Sequence, residues 1–257
     1  IVIDGKVYST VYEGSEAYRE QEWGKIFNKA VEEKDNFEIA IEYLNLAIKV
    51  YPMKSNTYGY LASIYLEKND FNLAKETAKN GYEINPKDTF ILQVLARIEQ
   101  KNGNLDEAVE YTKNALSFSD EKGPILKKLI YIFIDMGKFE TAIETSMEAI
   151  REYPNDPDIY YNVGVLYQKM ANKLFEPTRK RFVEESNKTK LDKNVMNELY
   201  EDFVKIRTFC VEAKDYFLES ADLEGNDESS AQAVSEMKKT INQLDDIFFP
   251  ALRDMMD

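Results

Sequence analysis

The feature that most narrows the folds open to this chain is a repeat of about 34 residues, a period typical of stacked helical units. Aligned with itself, the sequence shows matching segment ends: AIEYLNLAIKVYP closes at Pro52, LAKETAKNGYEINP at Pro86, EAVEYTKNALSFSD at Asp120 and TAIETSMEAIREYP at Pro154. Small residues recur in two columns, Ala40, Ala74, Ala108 and Ala142, then Ala47, Gly81, Ala115 and Ala149. A side chain no larger than a methyl group lets neighbouring helix backbones approach, and alanine does so without the roughly 1 kcal/mol of helix propensity that glycine loses. Three residues ahead of the first column stand Phe37, Phe71, Leu105 and Phe139, suited to fill the gap between paired helices. Lys34 to Asn36, Asn69 with Asp70, Asn102 to Asn104, and Gly137 with Lys138 fall between the helical stretches and are turn-forming types. With only 10 Gly and 7 Pro, and with apolar residues at helical spacing, the chain reads as all-α.

These columns and closing prolines resemble the tetratricopeptide-repeat family, in a bacterial type with an expanded last repeat. The resemblance implies a right-handed superhelix of antiparallel helix pairs with a C-terminal capping helix. It places regular repeats at 21–54, 55–88, 89–122 and 123–156 within a repeat domain of 21–227. The family's first-helix aromatic is present as Tyr58 and Tyr160 and replaced by Leu92 and Leu126. A fifth repeat, 157–227, opens with PDIYYNVGVLYQKM, but its second helix, CVEAKDYFLESADLEGND, arrives some 40 residues late. The segment of about 171–208 is therefore an insertion, expected to continue the first helix, turn at NKTK and lengthen the second. Residues 228–257 are expected to form the capping helix, covering the last repeat with Ala233, Met237, Ile241, Leu244, Ile247, Phe248 and Leu252. Residues 1–20 are expected to be an extended N-terminal segment. Ile1 to Tyr12 alternate around Gly5, and a strand without a partner would lie on the first repeat or form an arm of a longer chain.

Composition excludes several function classes. A formal charge of -14 argues against general binding of nucleic-acid phosphates. With one cysteine, Cys210, and no histidine, the 257 residues hold no internal disulfide, no Cys/His zinc site and no Ser-His-Asp or Cys-His nucleophile. Cys210, in the apolar run Phe209, Cys210, Val211, is expected to be a small buried hydrophobe. No run approaches the roughly 18–20 apolar residues of a membrane span. No cofactor or metal is expected, and nothing sets two carboxylates across a pocket, so the chain reads as non-catalytic. Location stays open: periplasm or envelope if a leader or lipid anchor preceded Ile1, cytoplasm otherwise.

The function that the resemblance implies is a scaffold gripping a protein or peptide in a concave groove lined by first helices. The groove positions include Phe90, Gln93 and Arg97, then Lys127, Lys128 and Tyr131, then Tyr161, Asn162 and Gln168. Lysine and arginine can meet a carboxylate, asparagine can hold a peptide backbone, and tyrosine buries area at low entropic cost. The set resembles part of the carboxylate clamp with which some family members hold a chaperone's C-terminal tail. Lys127 and Asn162 match it, while Tyr131 stands where an asparagine is usual. A second surface lies in the insertion, where Arg179, Lys180 and Arg181 concentrate positive charge suited to an acidic partner or a second copy of the chain. The alternative reading is a structural or assembly component of the bacterial cell envelope, acting through the insertion and the capping helix.

Overall fold

The computed structural model describes residues 2–3, 5–225 and 227–256, and most of them are helical. The chain divides into two compact units, 1–125 and 126–257.

The first unit opens on a small antiparallel ribbon, β1 (Val2–Ile3) paired with β2 (Lys6–Val7), so the N-terminal strand does have a partner. Gly5, with φ of 77°, supplies the left-handed backbone that a tight turn between the two strands needs. The expected extended segment ends early, because α1 (Val11–Glu32) begins ten residues before position 21. Its start is capped from both directions. The Glu13 backbone N–H donates to Thr10 Oγ1 at 3.1 Å, and the Ser9 N–H donates to the Glu13 carboxylate at 3.1 Å.

Helices then follow in pairs: α2 (Phe37–Val50) after α1, α3 (Ser55–Glu67) with α4 (Phe71–Ile84), and α5 (Thr89–Lys101) with α6 (Leu105–Phe118). Asn36, Asp70 and Asp88 cap α2, α4 and α5 through their side chains. The turns inside the pairs need a left-handed residue, supplied by Asn69 (φ 61°) and Gly103 (φ 80°). Ala40, Ala47, Ala74, Ala108 and Ala115 are fully buried. Gly81 is the exception in its column for a tertiary reason. A Cβ there would lie 2.5 Å from Ile91 Cδ1 and 2.9 Å from Tyr58 Cβ, so even alanine is too large.

The second unit begins inside α7 (Gly123–Asp135), which is followed by α8 (Phe139–Glu152) with Ala142 and Ala149 fully buried. Gly137, φ 68°, occupies the same turn position as Asn69 and Gly103. The pair α9 (Pro157–Ser186) and α10 (Lys193–Glu224) is different in scale, at 30 and 32 residues against 13 for α3, α5 and α7. At 1.5 Å per residue each reaches about 45 Å or more. Their extra length is cemented by rings: Phe203 stacks on Phe248 at 4.6 Å, and Phe182 meets both edge-on at 6.0 and 5.4 Å. α10 stops at Gly225, left-handed with φ of 74°.

The closing segment is not one helix. α11 (Glu228–Gln243) runs into a π-helical turn at Leu244–Phe248 and then α12 (Phe249–Met256). Pro250 has no N–H for the carbonyl of Asp246, and a widened turn just ahead of it absorbs the missing bond. The change of register buries Leu244 and Phe248 but turns Ile247 outward, 57% exposed, which corrects its expected place in the covering face. Arg207 on α10 grips Asp245 of the π turn in a two-pronged pair at 2.7 and 2.9 Å. No helix among the described residues is long and apolar enough to cross a membrane.

Candidate functional site

In the first unit, the first helices of the pairs carry a continuous run of aromatic rings. Trp23 and Phe27, one turn apart on α1, stack at 5.1 Å. Phe27 meets Tyr60 of α3 edge-on at 5.0 Å, and Tyr60 meets Phe90 of α5 at 4.9 Å. Gly59 makes the last contact possible, since a Cβ there would sit 2.7 Å from the Phe90 ring. The Trp23 indole N–H donates to Thr57 Oγ1 at 2.8 Å, which fixes the ring plane. Lys54 lies over Trp23 at 5.0 Å while its ammonium pairs with Glu20.

Beside this ladder opens a cleft of about 380 Å³, floored by Ala30, Phe37, Leu44 and Ile64 and edged by Val31, Lys34, Tyr60 and Glu67. Tyr60 and Val31 are 39% and 38% exposed, so apolar surface faces solvent at the cleft's mouth. Arg97, one of the expected groove residues, donates to Glu67 at 2.7 Å and so orients a carboxylate at that edge. Gln93, one helical turn earlier on α5, is half-buried.

The second unit places the other expected residues on α7 and α9, and it pairs them mostly with the protein itself. Asp156 caps α9 by accepting the Asp158 N–H at 3.1 Å, which leaves two carboxylates at that helix start. Lys127 is held between them, its Nζ 3.0 Å from Asp156 Oδ2 and 2.7 Å from Asp158 Oδ2. Burial works to lower the Lys127 pKa, but the hydrogen bonds to Asp158 and Asp156 outweigh it and the pKa is raised. A ligand carboxylate at Lys127 would therefore compete with two resident ones.

The Tyr131 hydroxyl donates to Asn162 Oδ1, and Asn162 is buried. Tyr161 packs on Phe217 at 5.3 Å, and Gln168 donates to Glu236 of α11 at 3.4 Å. Lys128 is exposed on α7. Asp158 and Tyr161 also edge an open pocket of about 260 Å³ with Glu224 and Asp227, which makes the surroundings acidic.

The insertion's cations are likewise partnered. Arg179 pairs with Glu176 at 2.8 Å, Lys180 with Glu184 at 3.9 Å, and Arg181 with Glu198 across to α10. Cys210 is 1% exposed and its thiol is pushed up to about 11 by burial, which makes it an inert core residue.

Of the aromatic ladder only Phe90 was among the groove positions expected from sequence, and of the cleft's apolar floor the sequence marks only Phe37, as a filler between paired helices. Trp23, Phe27, Tyr60 and Phe90 hold different places in the 34-residue period, so they form no column; for the first three, large aromatic character was the only signal.

Two segments match family models, one described as a tetratricopeptide repeat over residues 55–88 and one as a TPR repeat over residues 131–170. No curated protein matches the chain. Among solved structures, Pseudomonas aeruginosa pilF is similar with a TM-score of 0.54 at 14% identity, covering 81% of this chain and 99% of the other. A MamA protein structure has a TM-score of 0.50 at 18% identity, covering 78% and 96%. A human IFIT1 dimer with m7Gppp-AAAA has a TM-score of 0.53 at 15% identity, covering 84% of this chain and 46% of the other. At such identities the likeness is one of fold.

Proposed function

Because this chain is a tetratricopeptide-repeat protein, and so built as a protein-interaction scaffold, we propose that it binds a peptide segment on its first helices, anchoring a large apolar side chain in the cleft between α1, α2 and α3. The observation that carries this reading is the Trp23–Phe27–Tyr60–Phe90 ladder, whose Tyr60 ring is exposed at the mouth of a cleft with an apolar floor. Exposed aromatic area next to a preformed pocket is where binding energy concentrates, because the rings are already ordered and little entropy remains to be lost. Gln93 and the Arg97–Glu67 pair supply polar contacts at the edge. Lys127 and Asn162 of the second unit, committed to Asp156, Asp158 and Tyr131, take no part in this site. The role is binding without catalysis.

Peptides selected from a phage-displayed random library on the intact protein test the reading. They are expected to share a large apolar residue and to lose at least tenfold in affinity, about 1.4 kcal/mol, on the double variant Val31→Glu, Tyr60→Ala. Both positions are exposed, so helicity by circular dichroism should be unchanged. Selected peptides that bind the variant as well as the parent would overturn the assignment.

A further inference from the structure

The enlarged pair in the second unit carries a pocket of its own. Its walls are Phe139 and Glu140 at the start of α8, Met170, Lys173 and Leu174 on α9, and Lys205 and Phe209 on α10. The α9 residues all lie beyond that helix's thirteenth position, where α3, α5 and α7 have already stopped, so the pocket is a product of the expansion. Its floor is apolar and firm, for Leu174 and Phe209 pack against the unit's main core.

Charge distinguishes it. Lys169, Arg179, Arg181, Lys188 and Arg207 of this pair all hold carboxylate partners. Lys173 and Lys205 do not pair with any carboxylate among the described residues. Each instead lies over a pocket ring, Lys173 at 5.0 Å from Phe139 and Lys205 at 5.9 Å from Phe209. Two ammonium groups over an apolar floor form a locally cationic mouth, with Glu140 its one carboxylate, on a chain of net charge -14. The volume of about 160 Å³ is below the roughly 300–1,000 Å³ of small-molecule sites and suits a single side chain.

We propose that this pocket is a second docking site, taking one apolar side chain from an acidic peptide segment whose flanking carboxylates meet Lys173 and Lys205. Removing either half of the recognition weakens it: the apolar anchor gives burial, and the carboxylates give the charge match that an otherwise acidic protein would repel. The site is separate from the cleft of the first unit and stands whether or not that cleft binds a peptide.

The test uses the full chain and an acetylated, amidated peptide with one leucine set among aspartates and glutamates, titrated by calorimetry at low salt. Saturable one-to-one binding is expected, with affinity falling at least tenfold on Lys173→Glu, Lys205→Glu and equally when the leucine is replaced by serine. A peptide with lysines in place of the acidic residues is expected to bind that charge-reversed variant better than the parent. Both lysines are exposed, so the variant should fold. No saturable binding to the parent, equal binding of the serine peptide, or indifference to the charge reversal would each overturn the proposal.

Discussion

The pair α3 and α4 and the pair α9 and α10 solve the same packing problem with different materials. In the first, Ala62, Ala74 and Ala78 are fully buried and Gly81 of α4 lies against Tyr58 Cβ and the Ser55 carbonyl of α3, so the helices meet through the smallest side chains available. In the second, the early part keeps this habit, with Gly164 admitting the Phe217 ring at a spacing no Cβ could share and with Ala213 buried. Beyond Ala171 the pair changes to rings, and Phe182, Phe203 and Phe248 form the contact. Close backbone approach demands smallness at fixed intervals and so writes a period into the sequence. Ring packing demands only volume, and leaves none.

The sharpest way to break that comparison is Phe203→Ala, which empties the centre of the ring cluster, where the side chain is fully buried. A loss of about 3–5 kcal/mol is expected in urea unfolding. A loss below about 1 kcal/mol would mean that the rings do not hold the long helices. Gly81→Ala attacks the regular pair instead. The added methyl gains up to about 1 kcal/mol of helix propensity but overpacks against Ile91 and Tyr58, at about 1–3 kcal/mol, so a net loss is expected. The same change at an open helical glycine has the opposite sign.

Each unit of the chain also buries a carboxylate, Glu99 in the first and Glu185 in the second. Glu99 on α5, 2% exposed, accepts from Asn104 Nδ2 at 2.7 Å and pairs with Lys75 at 2.7 Å. Desolvation acts to raise its pKa, but the bonds from Asn104 and Lys75 prevail, and it lies below the ordinary carboxylate value. A depressed folded pKa gives stability that is present above the unfolded value of about 4.3 and is lost as pH falls through the folded one. Glu99→Gln should therefore flatten the acid limb of the stability profile by on the order of 1 kcal/mol, measured by thermal unfolding between about pH 5 and pH 3.

The contrast explains what could be read in advance. The all-α class, the alanine columns and the turn residues were legible because each answers a local demand; Asn69, Gly103 and Gly137 stand where the backbone must turn left-handed. The binding surfaces were less so. Lys127 reads as a free cation in sequence, yet Asp156 and Asp158, 29 and 31 residues further on, are brought to it only by the fold. Arg179 reads as part of a cationic patch, yet Glu176 one turn earlier neutralises it. The continuation of α9 through Pro177 to the NKTK turn was legible, and Thr178 and Phe182, buried on the far side of the proline, show what carries the helix past it.

Gly24 offers the smallest effect and the most direct check on what a column means. In the 34-residue register it occupies the place of Tyr58, Leu92, Leu126 and Tyr160, and of these Leu92 and Leu126 are buried. A Cβ at Gly24 meets nothing within 4 Å outside its own helix turn. The position therefore has no neighbour to fill against, and its glycine carries only the cost of a flexible backbone within α1. Gly24→Ala should raise stability by about 0.5–1 kcal/mol, while Gly81→Ala lowers it. If both changes lowered stability, α1 would be making a close contact at Gly24, and the difference between open and packed glycines drawn here would fail.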